Sequence, residues 1–200
     1  MNGPGHGIGI VVSKSSLLNG IMGLLAMVVL LCNSSTMSAQ SLSSVDETDT
    51  RAITKANFLF HFAASNEWPA QAKQGDFYIG IIGNSRLYEE LVDKYAMKSI
   101  GSQPLKVVAF EDVASFDSDR FIQLIYCDAG GESLRQLATQ LIDQPILLVA
   151  DSEDALEQGA FINFVVKNNR IRYEINQEEA KKRGVLIGNK IMSWAVTPTE

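Results

Sequence analysis

Short apolar segments that alternate with helical patterns constrain the fold of this chain more than any other feature. Four of these segments are typical of buried strands: residues 77–82, 105–110, 121–126 and 146–150. Between the last two, Leu134, Leu137 and Leu141 recur at the spacing of one helix face. Strands that are apolar on both faces and separated by helices indicate a largely parallel sheet covered on both sides. The sequence therefore predicts an α/β fold, a three-layer sandwich.

A polar-faced hairpin is predicted at residues 159–176, where Asn168 and Asn169 separate two strand-like runs. Asparagine tolerates positive φ, and a two-residue loop selects a primed turn. Side chains on a strand point alternately to opposite faces. The second run alternates polar Arg172, Glu174 and Asn176 with apolar Ile171, Tyr173 and Ile175. We therefore expect an antiparallel hairpin at one edge of the sheet.

Two long helices are expected to enclose this sheet. Residues 51–66 are apolar on nearly all sides, which predicts a helix buried on more than one side. It should end before Trp68 and Pro69, because proline disfavours helical geometry in its predecessor. Residues 177–196 are predicted to form one terminal amphipathic helix. Its apolar side chains are Leu186, Ile187, Ile191 and Trp194.

The beginning of the chain predicts export. Residues 17–32 are uncharged and mainly apolar, and small residues at Ser38 and Ala39 permit cleavage after Ala39. We therefore expect a signal peptide at 1–39, a flexible polar leader at 40–50 and a single domain at 51–196. A retained N-terminal anchor is the alternative, because the apolar run is long for a signal peptide.

The net charge and the residue counts exclude several classes of partner and several kinds of site. After cleavage at Ala39, 16 basic and 23 acidic residues remain, a net charge of −7. This argues against nucleic acid and against anionic membrane surfaces as partners. Cys127 and His61 are then the only cysteine and histidine, so an internal disulfide and a zinc site of the usual Cys/His type are excluded. We expect no cofactor, no metal and no catalytic residue, since no nucleophile elbow is present.

A ligand site remains open at the carboxyl edge of the sheet. Asn84 and Ser85 follow the first strand, and Asp151 follows the fourth. Open α/β sheets usually bind ligands at this edge. Asn84 and Ser85 also fit an ordinary turn and helix cap, and Asp151 with Glu153 and Asp154 fits an acidic helix N-terminus. A small-molecule pocket at Asn84, Ser85 and Asp151 is the alternative function, and a hydrolase using Asp151 or Glu174 is a weaker third.

Four segments together resemble YfiR-type proteins over about residues 51–196. They are KANFLFHFAASNEWP, FYIGIIG, PILLVADSED and the run from EQGAFINF to KIMSWA. The most specific match is the INF…N-x-R-x-R-Y-E-I-N run, which includes Asn163, Arg172 and Glu174. The resemblance implies a non-enzymatic periplasmic protein that binds and represses the outer domain of a membrane diguanylate cyclase or sensor kinase. Partner-binding residues are then expected among Glu67, Trp68, Pro69, Arg172, Glu174 and Asn176.

Where this chain departs from the family pattern, the family's properties cannot be expected of it. Family members often carry an aromatic residue before Glu67-Trp68-Pro69, where this chain has Ser65 and Asn66. The better-known repressor uses intramolecular disulfides, which Cys127 alone cannot form. Trp68 fits two roles equally well, an exposed partner contact or a closure of the core edge. A homodimer, for example through intermolecular pairing of Cys127, and a small-molecule ligand stay open.

Overall fold

The computed structural model describes residues 37–117 and 121–197, with residues 37–46 described by their backbone alone. The apolar run of the predicted signal peptide, 17–32, lies outside the described residues. The chain divides into two compact units, Met1–Glu47 and Thr48–Glu200. Every side-chain contact reported below belongs to the second unit.

Helices and strands alternate through most of the described chain. The helices are α1 (Met37–Ser65), α2 (Ser85–Tyr95), α3 (Gly131–Gln140), α4 (Gln177–Lys182) and α5 (Asn189–Trp194), with a 3-10 helix at Ala70–Lys73. The strands are β1 (Phe77–Ile82), β2 (Ser99–Ile100), β3 (Gln103–Phe110), β4 (Leu124–Cys127), β5 (Leu147–Ala150), β6 (Ile162–Lys167) and β7 (Arg170–Ile175).

The described strands form one sheet in the order β2-β3-β1-β4-β5-β6-β7. The five inner strands are mutually parallel, and β6 with β7 forms the predicted antiparallel hairpin. At the opposite edge, β2 pairs with β3 in antiparallel fashion, which the sequence analysis did not predict. The predicted α/β sandwich with a largely parallel sheet is thus confirmed.

Helices cover both faces of the sheet. Phe62 of α1 packs against Phe164 and Tyr173, with ring centroids 6.0 and 4.9 Å apart. Phe60 of α1 stacks on Tyr95 of α2 at 4.3 Å, so α1 and α2 lie on the same side. Strand β3 lies on one side of β1, whereas β5 lies on the other side of β4. Right-handed crossovers therefore place α2 and α3 on opposite faces, which gives three layers.

The hairpin turn has the predicted geometry. Asn168 and Asn169 have φ of 54° and 57°, as a type I′ turn requires. Six residue pairs link β6 and β7, with Phe164 opposite Tyr173 on the apolar face and Asn163 opposite Glu174 on the polar face. The alternation of polar and apolar residues in the sequence therefore predicts correctly the face on which each of these side chains lies.

Replacing Asn169 with valine should lower the free energy of unfolding by about 1–2 kcal/mol, because a β-branched side chain resists left-handed backbone geometry. Urea denaturation of both proteins measures the difference. Asn169→Gly is the control and should cost little, since glycine accepts positive φ. Equal midpoints for the valine and glycine variants would contradict this account of the turn.

The predicted terminal helix at 177–196 is wrong, because it is broken in two. Gly184 has φ of +79°, and Val185 N–H donates to the carbonyl of Ala180. This left-handed glycine closes α4 in the manner of a Schellman cap. Residues 185–188 are then extended, and Leu186 forms a bridge with Glu67 before α5 begins.

Three further expectations differ from the structure. Residues 40–50, expected to be a flexible leader, are helical and belong to α1. Residues 151–159 form turns rather than an acidic helix N-terminus, and Asp154 has φ of 55°. The predicted third strand, 121–126, begins only at Leu124 and ends at Cys127. Ile122 is fully buried just before the strand, which explains why the apolar signal starts earlier than the strand does.

Candidate functional site

A chain of polar contacts runs along the carboxyl edge of the sheet and joins α1 to three strand ends. Asn84 donates to one oxygen of Asp128 at 2.9 Å, and the Tyr126 hydroxyl donates to the other at 2.8 Å. The Lys55 ammonium donates to the Tyr126 oxygen at 3.0 Å and forms an ion pair with Asp151. We call these five residues the carboxyl-edge network.

Topology explains why these residues meet. Strands β1, β4 and β5 are adjacent and parallel, so their carboxyl ends lie side by side. Asn84 follows β1 and caps α2 by accepting from the Leu87 N–H at 2.9 Å. Asp128 follows β4, and Asp151 follows β5. Lys55 reaches this edge from α1, which packs on the same face of the sheet as α2.

The centre of the network, Lys55 and Tyr126, is buried, and this burial affects the charge interactions of both side chains. The side chain of Lys55 is only 11% exposed, and its ammonium lies 5.3 Å from the ring centroid of Tyr126 and 6.0 Å from that of Phe164. These distances are suited to cation–π attraction. Burial, assisted by the charges of Asp128 and Asp151, raises the pKa of the Tyr126 phenol far above its ordinary value. Tyr126 therefore stays protonated and acts as a hydrogen-bond donor.

The residues of the alternative ligand pocket are only partly brought together. Asn84 and Ser85 line a groove of about 320 Å³, together with Gly83, Phe110 and Glu111. Asp151 lies outside this groove, at the far end of the carboxyl-edge network. Asn84 and Asp151 are thus connected through hydrogen bonds without lining one cavity.

Sequence analysis missed the three central members of the network, Lys55, Tyr126 and Asp128. Lys55 is separated from Asp151 by 96 positions and from Tyr126 by 71. The available signal was a lone lysine within an otherwise apolar part of α1. Burying a charge is costly without a partner, so this lysine itself predicts a carboxylate at a strand end.

Some polar residues of the hairpin contact other parts of the protein, and others are exposed to solvent. Glu174 is 8% exposed and lies 3.5 Å from the Lys167 ammonium. Asn176 caps α4 by accepting from the Glu179 N–H at 3.2 Å. Arg172 is exposed and lines a groove of about 440 Å³. The other residues of this hairpin groove are Lys167, Asn168, Arg170 and Val196.

Trp68 is a core residue, so of the two roles expected for it the exposed partner contact does not fit the structure. It is 5% exposed, its indole N–H donates to the Gln123 carbonyl at 3.1 Å, and its ring meets Phe77 edge-on at 5.0 Å. Pro69, half-buried, precedes the 3-10 helix as its cap residue. Glu67 is exposed, but its backbone is paired with Leu186. The role of closing the core edge is the correct one of the two considered for Trp68.

Cys127 and His61 differ in how far they are buried. Cys127 is fully buried on β4, and burial raises the pKa of its thiol. An intermolecular disulfide through Cys127 would require this part of the core to open. His61 is half-buried on α1 beside the ring of Phe60, with centroids 6.1 Å apart.

Among the helices within residues 37–117 and 121–197, none has the length and apolar character needed to cross a bilayer. A comparison with curated proteins finds no significant match. The family described as YfiR/HmsC-like matches residues 53–196, well over half of the chain. The match covers the sheet, the carboxyl-edge network and the hairpin groove together. On this evidence the chain belongs to the YfiR/HmsC-like family.

Proposed function

We propose that this protein is a non-enzymatic periplasmic regulator. It binds the outer domain of a membrane signalling protein, a diguanylate cyclase or a sensor kinase, and lowers its output. The observation that carries this proposal is the family match over residues 53–196. The uncharged apolar run at 17–32 supports export.

The hairpin groove is the proposed contact surface. Arg170 and Arg172 belong to the family-specific run and are both exposed. They place positive charge on a protein whose formal net charge is −6, whereas Lys167 of the same groove is already paired with Glu174. Arginine is enriched among the residues that dominate binding energy at interfaces. The groove is therefore suited to an acidic segment of the sensor's outer domain.

The chemistry of the buried polar groups also favours binding over catalysis. Tyr126 is held protonated, and the Cys127 thiol is buried with a raised pKa. Lys55 already donates to two partners. A nucleophile has to be activated by a neighbouring base or by a lowered pKa. Tyr126 and Cys127 have a raised pKa instead, so neither is activated as a nucleophile by a lowered pKa.

Reversing the charge of Arg172 should abolish repression without unfolding the protein. In the host, deletion of the gene should raise cyclic di-GMP and surface attachment, and the wild-type gene should restore both. Arg172→Glu should fail to restore them, since it places a carboxylate where an acidic partner binds. Its free energy of unfolding should stay within about 0.5 kcal/mol of wild type, as expected at an exposed site.

Lys106→Glu is the matched control, because Lys106 is also exposed but lies on β3, at the other side of the sheet. It should restore repression fully. If deletion changes neither readout and crosslinking recovers no membrane sensor, the regulatory proposal fails. Equal loss with both charge reversals would place the contact away from the hairpin groove.

The second candidate function is binding of a small molecule at the carboxyl edge. The groove at Asn84 and Ser85 favours it, because polar groups converge there at the end of a parallel strand. Native mass spectrometry of the protein purified from its host would detect a bound compound. An Asn84→Ala variant that loses this compound would support the candidate, and mass spectra showing protein alone would oppose it.

A further inference from the structure

The outer side of β7 is an edge of the sheet. β7 is the last strand in the sheet order, and among the described strands it pairs with β6 alone. The two-residue loop makes Lys167 and Arg170, which flank it, a hydrogen-bonded pair. Every second residue of β7 therefore directs its N–H and C=O to β6, and the backbone groups of Ile171, Tyr173 and Ile175 face outward. A strand edge of this kind can pair with another extended chain.

The end of the described chain uses only part of this edge. The Val196 N–H donates to the Tyr173 carbonyl at 2.9 Å, which agrees with the outward direction of that carbonyl. Thr197 then accepts a hydrogen bond from the Lys167 ammonium at 3.1 Å. Nearer the turn, the outward N–H and C=O of Ile171 have no hydrogen-bond partner among the described residues. The turn half of the edge is therefore left for another chain.

Two arginines without a counter-ion flank Ile171. Arg170 and Arg172 are both exposed, and neither forms an ion pair within the part of the chain that the structure describes. Arg86 and Arg135, by contrast, each have a carboxylate partner. Residues two positions apart on a strand point to the same face and are about 6.6–6.8 Å apart. The polar face of the hairpin thus presents two positive charges at a fixed spacing.

This spacing matches that of an extended partner. In any β-strand, acidic residues two positions apart are separated by the same distance, because the rise per residue is the same. An antiparallel strand paired with Ile171 would bring two such carboxylates beside the guanidinium groups, which form strong, directional hydrogen bonds with carboxylates. The residue between the acids would point to the other face of the hairpin. There Val166 is 52% exposed and lies opposite Ile171, so an apolar side chain fits.

We propose that the β7 edge binds an extended segment of the partner as an added antiparallel strand, with acidic side chains at alternate positions and an apolar side chain between them. The backbone groups of Ile171 hold this strand, and Arg170 and Arg172 select its acidic residues. Backbone hydrogen bonds supply affinity and alternate side chains supply specificity in this mode of recognition. The inference rests on the proposed function, because it describes how the partner occupies the hairpin groove.

A pentapeptide with capped ends and the sequence Thr-Glu-Val-Glu-Thr is the probe. We expect titration of the ¹⁵N-labelled full chain to give saturable shifts in the amides of Ile171 and Arg172. Hydrogen exchange of the Ile171 amide should also become slower, because its N–H gains an acceptor. The same residues with the acids adjacent, Thr-Glu-Glu-Val-Thr, should bind about threefold more weakly or worse, because only one carboxylate then reaches the arginine face.

A third peptide separates strand addition from simple charge attraction. N-methylation of the central valine of Thr-Glu-Val-Glu-Thr keeps both carboxylates but removes the N–H that donates to the Ile171 carbonyl. This peptide should bind about threefold more weakly or worse, in line with the loss of one backbone hydrogen bond. It should also leave the exchange rate of the Ile171 amide unchanged.

The arginines are tested by changing both to glutamine. The Arg170→Gln, Arg172→Gln protein should bind Thr-Glu-Val-Glu-Thr about fivefold more weakly or worse, because two ion pairs are lost. Its amide spectrum should remain that of the folded protein, as expected for exposed positions. Lys106→Gln removes an exposed positive charge on β3, at the other side of the sheet, and should leave the affinity unaltered.

Two results would overturn the proposal. One is the absence of saturable shifts at Ile171 up to the solubility limit of the alternating peptide. The other is equal affinity for the alternating and the N-methylated peptides, which would show that carboxylates bind without an added strand. If Arg172→Glu still fails to restore repression in the host, the regulatory proposal stands while the added strand is rejected. Full repression by Arg172→Glu would reject the hairpin groove as the contact surface, and the inference with it.

Discussion

Replacing Trp68 with alanine should lower the free energy of unfolding by about 3–5 kcal/mol, the range for truncation of a buried large aromatic residue. The variant removes a side chain that is 5% exposed and packs edge-on against Phe77. It also removes one of the two donors to the Gln123 carbonyl, which keeps its hydrogen bond from the Leu147 N–H. A loss of this size is a large part of the total stability of an ordinary domain. Urea denaturation followed by circular dichroism measures it.

Trp194 provides a control within the same chain. It is 46% exposed, and Lys190 lies over its ring at 5.1 Å. Trp194→Ala should therefore cost clearly less than Trp68→Ala, because nearly half of the Trp194 surface stays in contact with water in the folded protein. Similar losses for the two tryptophans would contradict the assignment of Trp68 to the core.

This prediction changes how the family-specific residues are tested. Glu67, Trp68 and Pro69 form a motif that sequence reasoning treats as a contact candidate, yet Trp68 closes the core at the end of α1. A Trp68→Ala protein that fails to repress its partner would report unfolding rather than a lost contact. Arg172 is the better functional probe, because its exposure separates binding from stability.

Local patterns predicted the elements of this fold well. The two asparagines of the hairpin need only their own backbone preference to select a primed turn, and Asn84 needs only its neighbours to cap α2. The prediction of one terminal helix was wrong, because apolar spacing alone does not show where a helix ends. Apolar spacing continues through Leu186 and Ile191, but Gly184 ends α4, and Leu186 pairs with Glu67 instead.

Contacts between distant segments could not be predicted in the same way. The carboxyl-edge network depends on the order of β1, β4 and β5 in the sheet, and on α1 crossing their ends. The hydrogen bond from the Gly188 N–H to Asn66 likewise joins residues that are 122 positions apart. One sequence gives the residue types at each strand end, but their distances follow only from the sheet order.

Removing the carboxylate of Asp151 should destabilise the protein by about 3 kcal/mol, because it leaves a buried ammonium without its counter-ion. Lys55 would then keep only the Tyr126 oxygen, the two rings near it and limited access to water. Denaturation of Asp151→Ala measures the effect. Glu153→Ala removes a neighbouring exposed carboxylate and should change stability by no more than about 0.5 kcal/mol.

Removing the charge of Lys55 should cost less stability than removing that of Asp151. Combining the two changes should restore part of the stability that Asp151→Ala loses. Lys55→Met removes the buried charge while retaining an apolar side chain, and Asp151, whose side chain is one-third exposed, can then be solvated. Adding Lys55→Met to Asp151→Ala should therefore raise the stability of the single variant. The coupling energy from this double-mutant cycle should be at least about 1 kcal/mol, as is typical of contacting residues. Additive effects would show that the ion pair is not formed in solution, and Lys55 would then have to find another counter-charge at the carboxyl edge.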